Sequence, residues 1–181
     1  EALEAVPGVV VSQHSGEGKA NQYYLRGFNL DHGTDLALSV AGMPVNLPTH
    51  AHGQGYADMN FLIPELASGI QYRKGTYAAD SGDFSAAGAI RVSYLSVLDG
   101  PIVRLEGGAY GYARVLAAAS PEVGGGHLLV AAEAMGNDGP WDRPDVMRRW
   151  NGLVRYSRGT ATSGLSLTAL AENRDALRQW V

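Results

Sequence analysis

The chain has 181 residues, of which 45% are hydrophobic and 18% charged, with a formal net charge of −4 and no cysteine. That length suits one domain and part of a second, and the acidic balance argues against a nucleic-acid partner, whose footprint is usually a basic patch. The lack of cysteine excludes a disulfide framework and a thiolate metal site. No segment reaches the roughly 20 apolar residues of a membrane helix, a test that alternating strands of about 9–11 residues escape.

In chain order, residues 1–6 have helical composition, and Pro7 stops them because the residue before a proline is pushed out of the helical region. Val9, Val10 and Val11 are β-branched and extended, and residues 12–22 form a polar loop. Residues 23–26 read as a short strand, 29–35 as a turn rich in Asx and glycine, and 36–40 as a returning strand closed by a tight turn at Gly42. Residues 46–55 are a long polar loop with Pro48 and two histidines. Residues 56–67 are expected to be helical, with Asp58 as N-cap and Pro64 limiting regularity. Strands at 70–74 and 89–93 flank a loop of small residues, giving a small α+β domain over 1–93.

Residues 94–181 follow a different rule. Arg104, Glu106, Tyr112 and Arg114 alternate with Val103, Leu105, Ala113 and Val115. Leu128, Val130, Ala132 and Ala134 oppose Glu133, and Leu165, Leu167, Ala169 and Ala171 oppose Ser166, Thr168 and Glu172. This is an antiparallel meander of about five strands with turns at 107–112, 122–126, 136–148 and 159–164. In a soluble sandwich the apolar face would be core, and in a barrel it would meet lipid while the charged face lined a wet interior; periodicity alone admits both.

Six segments of the first half, in this order, resemble the plug domain of TonB-dependent outer-membrane receptors. They are Ala2-Leu3-Glu4-Ala5-Val6-Pro7-Gly8-Val9, Leu25-Arg26-Gly27-Phe28, Val40-Ala41-Gly42-Met43-Pro44-Val45, Leu62-Ile63-Pro64-Glu65-Leu66, Ile70-Gln71-Tyr72-Arg73-Lys74-Gly75 and Gly88-Ala89-Ile90-Arg91-Val92. Two positions depart from the family pattern: Ala41, where an acidic residue is usual, and Thr76, where a proline is usual. The resemblance implies an α+β plug followed by the first antiparallel strands of an incomplete transmembrane β-barrel, since about five strands cannot close and the rest would lie beyond Val181. It implies a gated transporter and not an enzyme, in the outer membrane of a Gram-negative bacterium. The cargo would be a scarce nutrient such as a siderophore, a metal complex, cobalamin or an oligosaccharide. Its partners would be that cargo, outer-membrane lipid and a TonB-type energy-coupling complex reached through a segment upstream of Glu1. No cofactor is implied. The alternative is a soluble periplasmic or secreted β-rich protein binding a ligand or metal.

His50-Ala51-His52 is the strongest chemical candidate. In an extended loop the two imidazoles would share one face, and neutral imidazole suits zinc, copper or nickel. Gln54 and Tyr56 stand beside them, and the resemblance places this stretch at a ligand-facing loop. Two histidines alone make an incomplete site. Asp31 and His32, with Asp35, stand on the other such loop and would complete the site or meet a polar ligand; the plainer reading is an Asx turn about Gly33. Arg26, Arg73 and Arg91 occupy expected strand positions and would fasten the plug to Glu106 and Glu133 of the wall. Trp150 suits an aromatic girdle and Trp141 a loop. No Gly-x-Ser-x-Gly elbow or phosphate-cradling glycine loop is present.

Overall fold

The computed structural model describes residues 2–13, 17–160 and 163–176. Glu1 of the expected opening helix, part of the 12–22 loop, residues 161–162 of the last turn and the final residues lie outside them. The chain divides into two compact units, 2–13 with 19–94 and 17–18 with 95–176.

The first unit holds two sheets. Strands β1 (Val9–Ser12), β2 (Gln22–Leu25) and β3 (Phe28–Asn29) form an antiparallel trio in that order. Strands β4 (Leu36–Val40), β5 (Met43–Pro44), β6 (Ala67–Lys74) and β7 (Gly88–Tyr94) form a second sheet in the order β5-β4-β7-β6. Its centre is a parallel pairing of β4 with β7, in register from Leu36 opposite Gly88 to Val40 opposite Val92. Parallel strands need a long crossover, here the stretch from β5 to β6. Leu36, Leu38, Val40, Ile90 and Val92 are buried and form the core with Ile63 and Leu66.

Two hairpins share one turn chemistry. Arg26-Gly27 joins β2 to β3 and Ala41-Gly42 joins β4 to β5, and all four residues have φ between 51° and 86°. Two consecutive positive φ values make the turn whose twist suits a two-residue hairpin. Arg26 is therefore a turn residue and not the expected strand residue. Ala41 adopts a left-handed conformation that glycine, asparagine or aspartate accepts more readily.

Helical structure among the described residues is confined to three 3-10 turns, at Ala2–Ala5, Pro64–Leu66 and Ala79–Ser81. The expected helix over 56–67 does not form. The Asp58 carboxylate accepts the Asn60 N–H at 2.9 Å, an Asx turn in place of a helix cap. Pro64 then holds Ile63 extended, at φ −95° and ψ 103°. The apolar spacing that suggested a helix comes from Ala57, Met59, Leu62, Ile63 and Leu66, all buried along an irregular path.

The second unit is one antiparallel sheet. Strands β8 (Ile102–Gly107), β9 (Ala113–Ala119), β11 (Gly126–Asn137), β12 (Met147–Gly159) and β13 (Gly164–Asp175) follow the order β13-β12-β11-β9-β8, and the two-residue β10 (Glu122–Val123) pairs with the start of β11. Five long strands match the expected meander. Gly124 and Gly125, at φ 58° and 75°, make the tight turn expected at 122–126. The long loop is 138–146, shorter than expected because β11 and β12 run further into it.

The sheet has two unlike faces. On one, Val103 and Leu105 are each 74% exposed and Val115, Trp150, Val154, Leu165 and Leu167 are also exposed. On the other, Arg114, Leu116, Ala118, Leu129, Ala131, Glu133, Asn151 and Leu153 are buried. An exposed apolar band backs onto a buried face that mixes leucine and alanine with Arg114, Glu133 and Asn151, whereas a soluble antiparallel sheet turns its polar side to water.

Candidate functional site

The histidines are brought together by two loops of the first unit, 30–35 and 47–56. The first begins at the Asn29 carboxamide oxygen, which accepts the Asp31 N–H at 3.0 Å. Asp31 takes φ 47°, and Gly33 and Thr34 both donate to the Leu30 carbonyl. Gly33 has φ +112°, and a Cβ there would lie 2.8 Å from the Ala57 Cβ, so only glycine fits. The second loop is closed at its neck by Leu47 N–H to Tyr56 O and Gly55 N–H to Leu47 O, each 2.8 Å.

Asn46 joins the two loops. Its carboxamide oxygen accepts the Leu38 N–H at 2.7 Å, and its Nδ2 donates towards the carbonyls of Gly33, Leu36 and Gly55 at 2.9–3.0 Å. The side chain thus ties β4 to both loop ends while itself buried. No motif marks this residue; its one signal in the sequence is an asparagine at the entrance to a loop too polar to make its own core.

His32 is 2% exposed. Its Nδ1 lies 2.8 Å from the Ala20 carbonyl oxygen. A carbonyl only accepts, so Nδ1 carries the hydrogen and Nε2 holds the lone pair of the neutral ring. Nε2 stands 3.6 Å from an Asp31 carboxylate oxygen. The Tyr56 hydroxyl accepts the Ala20 N–H at 2.8 Å, so both polar groups of that one peptide position are engaged by site residues.

Of the six residues expected to face a ligand, three converge. Asp31, His32 and His52 place their ligand atoms within 4.8 Å of one another. The His32 and His52 rings meet edge to face, centroids 4.5 Å apart. His50 stands outside this trio: the loop is not extended there, and His50 stacks on Tyr56 with ring centroids 4.0 Å apart. Its Nδ1 accepts the His52 N–H at 3.2 Å, which orients the backbone that carries His52. Tyr56 is half-buried beneath the histidines and Gln54 is exposed on the same loop. The grouping thus pairs His52 with the 30–35 loop, where the sequence paired it with His50.

The charged residues expected to link plug and wall have partners close to home. Arg73 and Arg91 both pair with Asp80, Arg91 at 3.2 Å. Hydrogen bonds from Arg91 and then Arg73 hold the Asp80 carboxyl below the usual carboxylate range. Arg26 is exposed at its turn. In the second unit, Arg114 Nε donates to Glu133 Oε2 at 2.7 Å and Nη1 to Glu106 Oε1 at 2.8 Å. Asn151 Nδ2 donates to Glu133 Oε1 at 2.8 Å, and Arg149 approaches the same oxygen at 3.4 Å. These groups form a cross-strand network over β8, β9, β11 and β12. Glu106–Arg114 and Glu133–Asn151 lie directly opposite on neighbouring strands, and Arg114–Glu133 and Arg149–Glu133 run diagonally, pairings that a period-two reading does not supply.

The family model for the TonB-dependent receptor plug domain matches residues 1–89. Among solved structures, the chain is similar to a protein titled copper transporter OprC, with 20% identity and a TM-score of 0.74 over 97% of this chain and 28% of that one. It is also similar to the FrpB iron transporter from Neisseria meningitidis in its apoprotein form, with 16% identity and a TM-score of 0.70 over 98% and 30%. A mutant ferric enterobactin receptor from Pseudomonas aeruginosa in complex with enterobactin matches with 15% identity and a TM-score of 0.66 over 94% and 30%. At such identities the likeness is one of fold, and the chain spans under a third of the length of these neighbours.

Proposed function

The chain belongs to the TonB-dependent receptor family, with residues 1–89 as the plug domain, and on that premise we propose that it gates energised uptake of a scarce nutrient through an outer-membrane β-barrel. The carrying observation is the succession of a plug domain and a five-strand antiparallel sheet whose apolar face is exposed while Arg114, Glu133 and Asn151 are buried among leucine and alanine on the other. Five strands are an incomplete barrel. A barrel wide enough for such cargo leaves an aqueous lumen that a folded domain must block. The role is transport and not catalysis, with energy supplied by a TonB-type complex. Cargo meets the plug at the loops bearing Asp31, His32, His50, His52, Gln54 and Tyr56. Copper, iron and siderophore proteins among the structural neighbours favour a metal or metal-chelate cargo.

The test uses spin labels placed singly at Val103, Leu105, Val115, Leu128, Val130, Leu165 and Leu167 in the full-length receptor in bilayers. A lipid-soluble relaxing agent is expected to quench all seven, because each lies on the apolar face. An arginine on that face costs about 2–4 kcal/mol near the bilayer midplane. Labels shielded from lipid-soluble and water-soluble agents alike would reveal a packed soluble core and remove the barrel.

A further inference from the structure

We propose that Asp31, His32 and His52 form a direct binding site for a divalent transition-metal ion, copper(II) above all, on the surface of the plug. The proposal rests on the receptor reading above and names the chemistry of its cargo: a metal held by protein side chains with room left for an exchangeable ligand.

Three features carry it. The first is the donor set. Two imidazole nitrogens and a carboxylate oxygen within 4.8 Å of one another suit copper(II), zinc(II) and nickel(II). Thiolate and thioether, which select copper(I), are absent from the trio.

The second is orientation. The Ala20 carbonyl fixes His32 as the tautomer with its lone pair on Nε2, the atom 3.6 Å from the Asp31 carboxylate. A metal-binding histidine commonly donates its other N–H to a carbonyl in this way. The Tyr56 hydroxyl in turn holds the Ala20 peptide, and the His50 ring braces the His52 backbone. The buried histidine is thus held in place, and the loop that carries the exposed one is braced.

The third is distance and access. Bonds of about 2.0–2.2 Å separate ligand atoms by about 3.4 Å at a tetrahedral ion and by about 3.0 Å at neighbouring positions of the tetragonal arrangement copper(II) favours. The Asp31–His32 separation of 3.6 Å is already near these values, and the widest spacing asks for about 1.4–1.8 Å of closure at most. Asp31 and His52 are exposed while His32 is buried, so a small turn of the His52 side chain closes the trio from the solvent side. Three protein ligands leave a fourth position open. A carrier must release what it binds, and an open position lets a chelate deliver the ion or a competing ligand remove it.

The experiment uses untagged full-length receptor in detergent, stripped with a chelator and titrated with copper(II), zinc(II) and manganese(II) ions alone. One copper ion per receptor is expected, bound more tightly than zinc and far more tightly than manganese. Its electron paramagnetic resonance spectrum should carry coupling to two imidazole nitrogens. His52→Ala is expected to reduce the coupling to one nitrogen, and both His52→Ala and Asp31→Asn to weaken binding by about tenfold or more. His32→Gln removes a buried side chain that supports the fold, so the two exposed positions bear the test. Copper binding with unchanged affinity and spectrum in both variants would place the ion elsewhere and overturn the proposal, as would the absence of stoichiometric binding. The same samples are run on gels with and without heating. A barrel band that shifts on heating without metal binding defeats the metal site and leaves the receptor standing; metal binding without such a band defeats the receptor.

Discussion

Asn46→Asp destabilises the first unit by about 3–5 kcal/mol and frees both site loops. The substitution keeps the size of the side chain and an oxygen for the Leu38 N–H, but it turns Nδ2, now 2.9–3.0 Å from three carbonyl oxygens, into a fourth acceptor. Each buried polar group left without a partner costs about 1–3 kcal/mol, and a carboxylate facing three carbonyls in a buried site adds repulsion. Acid partly restores stability, because a protonated carboxyl donates one hydrogen bond again. Hydrogen exchange on the full-length receptor should show faster exchange across 30–38 and 47–57, with the second unit unchanged. Protection equal to wild type in those segments would mean that Asn46 does not hold the loops.

Glu133→Leu is expected to lower the stability of the barrel wall by a similar amount. Glu133 is 3% exposed and receives Arg114, Arg149 and Asn151. Removing it takes from Arg114, itself 8% exposed, the carboxylate its Nε donates to, and it strips Arg149 of the carboxylate it approaches. Breaking one partner of a buried pair typically costs about 3–5 kcal/mol, whereas replacing both partners with well-packed apolar groups often costs little. The double variant Arg114→Met with Glu133→Leu should therefore lose less than the single one. The readout is the temperature at which the folded band converts to the unfolded band on electrophoresis. A single variant as heat-resistant as wild type would show that the network contributes nothing to the wall.

Much of this molecule is visible in its sequence because strands announce themselves by period. Leu36–Val40 was bounded to the residue, and the apolar face through Val103, Leu105, Val115, Leu165 and Leu167 follows from alternation alone. Glycines did similar work at Gly42, Gly124 and Gly125, where positive φ is needed. What failed was anything decided by one competing side chain. Asp58 satisfies an Asx turn instead of capping a helix, and Pro64 holds Ile63 extended within the apolar spacing that predicts one. The parallel match of β4 with β7 joins segments some fifty residues apart, a partnership no local pattern encodes. The histidine grouping is half legible: the residue types and both loops can be named, but not that His52 joins His32 and Asp31 while the His50 ring stacks on Tyr56.

Energised, receptor-dependent uptake is measured most directly by accumulation in intact cells. Cells with and without the full-length receptor are limited in turn for copper, zinc, iron and carbon source, and the limiting nutrient is followed before and after the proton gradient is collapsed. Under one limitation at least, accumulation is predicted to require the receptor and to stop when the gradient is lost. Equal accumulation with and without the receptor under every limitation, or receptor-dependent entry that continues after collapse, would contradict it.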